Sequence, residues 1–470
     1  MLSYYEAQLV FLGILCGIWT FLDHRMSKGR LDDEGSPSRS SGNSRSRLMR
    51  QYLTVYAIVM GADWLQGPYV YSLYREQYAF PERLVAVFFV TGFMSAGIAA
   101  PLVGAWADKF GRKRLCQVFC ITYTLTCVFI TIPVFPVLLV GRLLGGFSTS
   151  ILYSAFESWV VASSHNLALP QSDLSAILGR ATLLNGFVAA GAGVFSNSLV
   201  AHTNTFTAPF IASGLLLVLA FFAISGLWTE NYGGTDSSAS ADGSGLWQSK
   251  RLTQAFFIVL RDPQLLVLGL TQTCFEGSMY LFVFLWVPSL QEASESSDAL
   301  PLGYIFSCFM VSMMLGSLLY TTVISYSQKS RVTEAQAQEE MLMVNAKLSS
   351  LVCAISSLCF ALAVTLQSEH ARFWAFCIFE ACVGMYYPVQ GMLRGTLISN
   401  EHRATLSSLF RVPLNIFVVV SLLTGVSSAR DKVLSASAIM LGISSVMTGI
   451  VIVNGLDRRR QSEALLPRPQ

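Results

Sequence analysis

Stretches of about 20 apolar residues alternate with short polar breaks along almost the whole chain. They lie near 5–22, 52–73, 83–106, 115–132, 136–161, 177–201, 207–228, 263–288, 302–325, 345–366, 372–393, 405–428 and 434–455. Each is long enough to cross a hydrocarbon core of about 30 Å as a helix. The pattern predicts an all-α membrane protein with one leading helix followed by twelve. The twelve divide into sixes, 52–228 and 263–455, around a polar stretch from Gly233 to Gly245 built from Gly, Ser, Thr, Ala and Asp. That composition cannot pack a core and reads as a flexible linker. A second soft segment, Ser36 to Ser46, is rich in Ser and Arg. The expected organisation is therefore 1–50 (leading helix and basic linker), 51–229 and 263–456 (two six-helix bundles), 230–262 (linker) and 457–470 (tail).

Lysine and arginine set the orientation. On this map 24 of them fall on one side, in 25–50, 109–114, 250–261, 329–347, the tail and singly at helix ends, against five on the other. The positive-inside rule makes the crowded side cytoplasmic. The leading helix has no basic residue before its apolar run, whereas His24, Arg25, Lys28 and Arg30 follow it. That favours a retained helix with its N-terminus outside over a cleaved signal. The competing reading is an interfacial helix lying on the surface. The C-terminus is expected in the cytoplasm.

Composition narrows the class. With 53% hydrophobic and 13% charged residues the chain is polytopic, and a formal charge of +3 offers nothing to nucleic acid. The bilayer is its partner. The ten cysteines sit in apolar runs without CxxC or metal-ligand spacing, so neither metal nor cofactor is expected. The five histidines lie in predicted loops, leaving any proton coupling to carboxylates. No GxxxxGK(S/T) loop is present, which disfavours ATP-driven pumping. No coherent Ser/His/Asp or Cys/His set suggests an enzyme.

Charge inside the apolar runs is the informative exception. Arg142, Arg180, Arg394, Arg403 and Arg411 lie in or beside them, as do Asp63, Glu157, Glu276 and Glu380. An ionised side chain at bilayer depth costs about 2.5–3.5 kcal/mol even on lenient scales, so it is kept where a partner, water or substrate meets it. Arg142 and Arg411 are candidate ligands for an anion, because guanidinium is a rigid fork that stays charged. Pairing with a neighbouring carboxylate is the alternative for each. Glu157 and Arg180 are expected to meet near the inner helix ends as a gating ion pair, with Arg403 in the equivalent place and Arg394 at an inner end. Asp63, Glu276 and Glu380 are candidates for proton handling beside the substrate, or else structural acids. Arg180-Ala-Thr-Leu183 and Arg403-Ala-Thr-Leu406 open the fifth helices of the two halves, and Asp63 and Glu276 are likewise matched. Such internal repetition is a carrier signature.

Between the second and third helices of the twelve runs Gly104-Ala-Trp-Ala-Asp108-Lys109-Phe-Gly111-Arg112-Lys113-Arg114. It resembles the G-x-x-x-D-(R/K)-x-G-R-(R/K) loop of the major facilitator superfamily. In it the glycines are expected to let helix ends approach, and Asp108 to cap the next helix while pairing with an arginine. A finer resemblance rests on Asp63 to Tyr71, Ser154-Ala-Phe-Glu157-Ser-Trp159, Phe284 to Pro288, Gly384-Met-Tyr-Tyr-Pro388, Arg403 to Leu406 and Phe410 to Asn415. Together these are similar to the eukaryotic molybdate-anion transporter family over 51–455. The resemblance implies a major facilitator fold and a secondary transporter importing molybdate at the cell membrane, functional as a monomer. Proton coupling is an added expectation. Facilitators for sulfate, a sugar or an organic anion, and a transport-dead sensor or scaffold, are the competing functions.

Overall fold

The computed structural model describes residues 3–31, 39–232, 257, 259–294, 299–328, 334–398, 403–424 and 430–458. The Gly233–Gly245 linker and the tail beyond Arg458 lie outside the described residues. Among those described, the chain is helical apart from turns and short connections. It groups into two compact units. One comprises Met1–Ile14, His24–Gly243 and Leu300–Val311; the other comprises Leu15–Asp23, Ser244–Ala299 and Ser312–Gln470.

The first part of the chain supplies α1 (Tyr4–Leu31), α2 (Arg39–Gln66), α3 (Glu82–Phe110), α4 (Arg112–Phe129), α5 (Phe135–Leu152), α6 (Ala155–Asn166), α7 (Gln171–Thr203) and α8 (Ala208–Leu227). The second supplies α9 (Pro263–Ala293), α10 (Leu302–Gln328), α11 (Glu334–Thr365), α12 (Glu369–Leu397), α13 (Arg403–Thr424) and α14 (Arg430–Met447). Nine stretches among the described residues are long and apolar enough to span a bilayer. Those that fall short are α2, α4, α12 and α13. In α2, α4 and α12 the polar residues, among them Asp63, the Arg112–Arg114 run and Glu380, lower the hydropathy, whereas α13 counts only as a shorter apolar helix, Leu409–Thr424.

Two expected boundaries change. Ser36–Ser46 is not a soft segment throughout, because α2 is helical from Arg39. Its Arg45 side chain is held by Asp173 of α7 at 3.0 Å, which anchors the basic end. The span expected over 136–161 is not continuous either. Backbone dihedrals leave the helical well at Ser154 (φ −126°, ψ −60°), separating α5 from the 12-residue α6. At the other end of α2, Gly67–Pro68 opens a 3₁₀ turn that passes through Val70–Ser72 into a π-helical stretch, Leu73–Gln77. Proline has no amide to donate, so the ladder loses a bond at Pro68.

The inner core of the N-terminal helices is aromatic. Trp159 of α6 stacks on Trp228 at 3.8 Å with the rings 6° from parallel, and both are almost fully buried. Around that stack the facilitator-like loop is tied down. Asp108 pairs with Arg112 at 2.8 Å, as expected. Asp108 does not cap α4, however. The amides of Lys113 and Arg114 donate to the two Glu230 carboxylate oxygens at 2.8 and 3.1 Å. Lys113 Nζ in turn donates to the carbonyls of Ser225 and Trp228 at the end of α8. Asn231 bonds the Trp159 carbonyl and Ser163 Oγ, closing the clasp onto α6. Gly111 makes room for it: its φ is +101°, and a side chain there would collide with the Glu230 carboxyl. Gly104 faces open space, so the expected close approach belongs to Gly111 alone. Lys109 is exposed and lies over the Phe110 ring at 5.4 Å.

The other unit buries an arginine, Arg372. It sits in the first turn of α12, 3% exposed. It donates to the Leu366 carbonyl at 3.0 Å, the Ser289 carbonyl at 2.9 Å and Gln367 Oε1 at 3.4 Å. The guanidinium thus ties the end of α11 to the C-terminal part of α9.

The clasp makes a stability prediction. Gly111→Ala must force a non-glycine residue into a strained backbone region, costing about 1–3 kcal/mol, and expel the Glu230 carboxyl. Glu230→Ala removes only the cap, worth about 1 kcal/mol. Melting of the purified protein should show the glycine change as the more damaging, with the double variant less than additive.

Candidate functional site

Each unit contains a polar cluster in which a carboxylate within an apolar run meets a phenol. In the N-terminal unit Asp63, half-buried near the end of α2, accepts from Tyr123 Oη of α4 at 2.6 Å. Trp64 beside it donates to Asn185 of α7 at 2.8 Å. Arg142 of α5 approaches the same region and interacts electrostatically with Tyr123. Its Nε donates to the Phe88 carbonyl at 3.2 Å, and its guanidinium lies over the Phe89 ring at 5.5 Å. Gly92 leaves space for the fork, since a Cβ there would meet Arg142 Nη2 at 2.9 Å. Asp63 and Arg142 do not form an ion pair with each other in this structure.

The second cluster lies between α9 and α12. Glu276 accepts from Tyr386 Oη at 3.3 Å and from Gln272 Nε2, one turn earlier on its own helix, also at 3.3 Å. Arg394 Nη1 donates to Gln272 Oε1 at 3.4 Å, and its Nε to the Gln390 carbonyl at 3.3 Å. Gln390 itself is 1% exposed and donates to Ser349 at 3.2 Å. Phe275 stacks on Tyr386 at 3.9 Å and fixes the phenol's plane. The Glu276 carboxylate interacts electrostatically with both Arg394 and Arg411. Arg411 is exposed on α13, two turns past its start.

Other candidates stand apart from these clusters. Glu380 is 6% exposed in α12. Its carboxyl has no hydrogen-bonding or ion-pairing partner among the described residues. Glu157 and Arg180 do not pair here. Arg180 Nη1 points to Met49 Sδ at 2.9 Å. Glu157 is exposed and lines a pocket of about 180 Å³ with Tyr52, Tyr56, Tyr153 and Thr182. Arg403 opens α13, but its side chain lies outside the described residues.

Sequence reasoning missed Tyr123, Gln272, Tyr386 and Glu230. Tyr386 stood inside a quoted string, and Gln272 lies one helical turn from Glu276, which places the two on one face. Tyr123 and Glu230 gave no local signal, because their partners are 60 and 117 residues away.

Residues 16–366 match a family described as 12-TM sugar transporters within the major facilitator superfamily. The molybdate-anion transporter of Xenopus tropicalis is 32% identical over 426 residues, 89% of this chain and 87% of that protein. The molybdate-anion transporter of Takifugu rubripes is 32% identical over 401 residues, covering 80% and 79%. Among solved structures, a point mutant of the nucleoside transporter NupG superposes with a TM-score of 0.63 at 10% identity, over 87% of this chain and 99% of that one. A D-xylose–proton symporter gives 0.60 at 11% identity, over 85% and 96%. Those two likenesses establish the fold. The sequence relatives go further: this multi-pass membrane protein has the major facilitator fold and belongs to the molybdate-anion transporter family.

Proposed function

We propose that the protein is a secondary carrier importing molybdate by alternating access at the cell membrane, N-terminus outside and C-terminus cytoplasmic, acting as a monomer. One observation supports an anionic cargo most directly. Each unit keeps an arginine beside its polar cluster, Arg142 in one and Arg394 in the other, with no carboxylate at ion-pairing distance among the described residues. A guanidinium left with spare donors matches two oxygens of a tetrahedral oxyanion. The names of the relatives point to molybdate among such anions. Arg411, exposed and within electrostatic reach of Glu276, is a third contributor.

Coupling follows from charge. Moving one charge through 100 mV is worth about 2.3 kcal/mol, so a dianion entering an inside-negative compartment works against roughly twice that. Co-transported protons offset it. Glu380, buried without a hydrogen-bonding or ion-pairing partner among the described residues, is the group we assign to carry one, with Asp63 and Glu276 responding to the anion. Glu157 and Arg180, apart here, are assigned to pair only in another state of the cycle.

In cells expressing the chain, isotope-labelled molybdate should accumulate above vector controls, with tungstate competing strongly and sulfate weakly. Arg142→Gln and Arg394→Gln should each cut uptake at least tenfold at unchanged surface expression. Uptake no better than control would overturn the cargo, and normal flux in either variant would remove that arginine from the ligand set.

Lowering the external pH should raise wild-type uptake, and a protonophore should abolish the rise. Glu380→Gln should flatten the pH profile while leaving molybdate-for-molybdate exchange. A profile that keeps its slope in this variant removes Glu380 from proton handling.

A further inference from the structure

The arrangement of Gln272, Glu276 and Arg394 has a feature that a simple ion pair lacks. The acid and the guanidinium belong to one cluster, yet no direct ion pair joins them. A single side-chain amide stands between, with Nε2 on the carboxylate at 3.3 Å and Oε1 on the guanidinium at 3.4 Å. Only this orientation of the amide is chemically allowed, since an NH₂ facing guanidinium and an oxygen facing carboxylate would both repel. Gln272 is 2% exposed, so its amide is not exchanging freely with water. Tyr386 holds the far oxygen of Glu276 at 3.3 Å, which keeps the carboxylate from swinging around the amide. Arg394 meanwhile uses two of its five donors, both in long contacts.

We infer that Gln272 is a positioning residue that holds Glu276 off Arg394 and so keeps the guanidinium open to an incoming oxyanion. The inference rests on the anion-carrier reading above and deepens it at one side chain. Direct contact between the charges would neutralise the arginine, and any anion would then have to displace an internal carboxylate before binding. With the amide interposed, the charges still attract through it and hold the cluster together. The donors facing away from Gln272 remain available. An arriving oxyanion therefore competes with two weak contacts and not with a salt bridge. The spacer has a length requirement, because one methylene fewer draws the amide back towards α9 and reopens the gap to Arg394.

Two measurements on the purified full-length protein test this. The first titrates sodium molybdate, sodium tungstate and sodium sulfate into wild type, Gln272→Leu, Gln272→Asn and the double variant Gln272→Leu/Glu276→Gln. Gln272→Leu should weaken oxyanion binding at least tenfold, and Gln272→Asn should fall between it and wild type. The double variant should recover to within about threefold of wild type, because an amide at 276 carries no charge with which to neutralise Arg394. A merely structural role would leave the double variant as weak as the single one, and that result overturns the inference. So does wild-type affinity in Gln272→Leu.

The second measurement needs no oxyanion. Phenylglyoxal modifies free guanidinium groups, and mass spectrometry reads the peptide carrying Arg394. Arg394 should react in wild type, be protected in Gln272→Leu and react again in the double variant. If wild type binds none of the three anions, the carrier reading fails, while the labelling pattern still decides whether Gln272 separates the charges. Equal labelling in all three proteins overturns the spacer role whatever the cargo.

Discussion

The constraint behind this molecule is the cost of keeping charge in a poorly polarisable interior. An arginine at that depth needs oxygen atoms around it, and the chain supplies them in two ways. Where rigidity serves, the guanidinium is saturated with carbonyls, as at Arg372, where three helix-end acceptors hold a nearly inaccessible side chain. Where transport would need a vacancy, the guanidinium is given fewer and longer contacts. Arg142 rests on the Phe88 carbonyl, the Phe89 face and the neighbouring Tyr74 phenol. Arg394 rests on one carbonyl and one amide. The same residue type is thus a rivet in one place and an open hand in another, and the number of acceptors around it decides which.

The acids obey the same rule in reverse. Asp63 and Glu276 are each steadied by a tyrosine hydroxyl, a neutral donor that solvates a carboxylate without cancelling its charge. Phenols are well suited because the ring buries apolar area while the hydroxyl stays oriented. The stacking of Phe275 on Tyr386 shows how closely the donor is placed. Glu380 has no such companion, which is why we single it out among the acids.

Much of the architecture could be read from the order of residues. The apolar runs anticipated most helices to within a few positions, and the loop between the second and third of the twelve disclosed its superfamily. Helix breaks were harder. Pro68 announced the change of pitch at the end of α2, but the break at Tyr153–Ser154 carries neither glycine nor proline. Charged residues in apolar runs were found easily, whereas their pairings were not. Glu157 with Arg180 was a reasonable match by depth, yet in this structure Arg180 turns towards Met49. Depth along a helix is encoded locally, while azimuth around it depends on packing with distant segments. The cap of α4 failed for the same reason: Asp108 was near in sequence, but Glu230, arriving from the far end of α8, was better placed to meet the amides.

The interruption between α5 and α6 gives the fourth span a mechanical property that an unbroken rod would not have. At about 1.5 Å per residue, α6 is a separate segment of roughly 18 Å whose backbone ladder is interrupted at Ser154. Its body is not loose, because Trp159 is pressed flat on Trp228 and Asn231 bonds both the Trp159 carbonyl and Ser163 Oγ. The segment that carries Glu157 is thereby joined, through Trp228 and Asn231, to the junction of Gly111 and Glu230 where α4 begins.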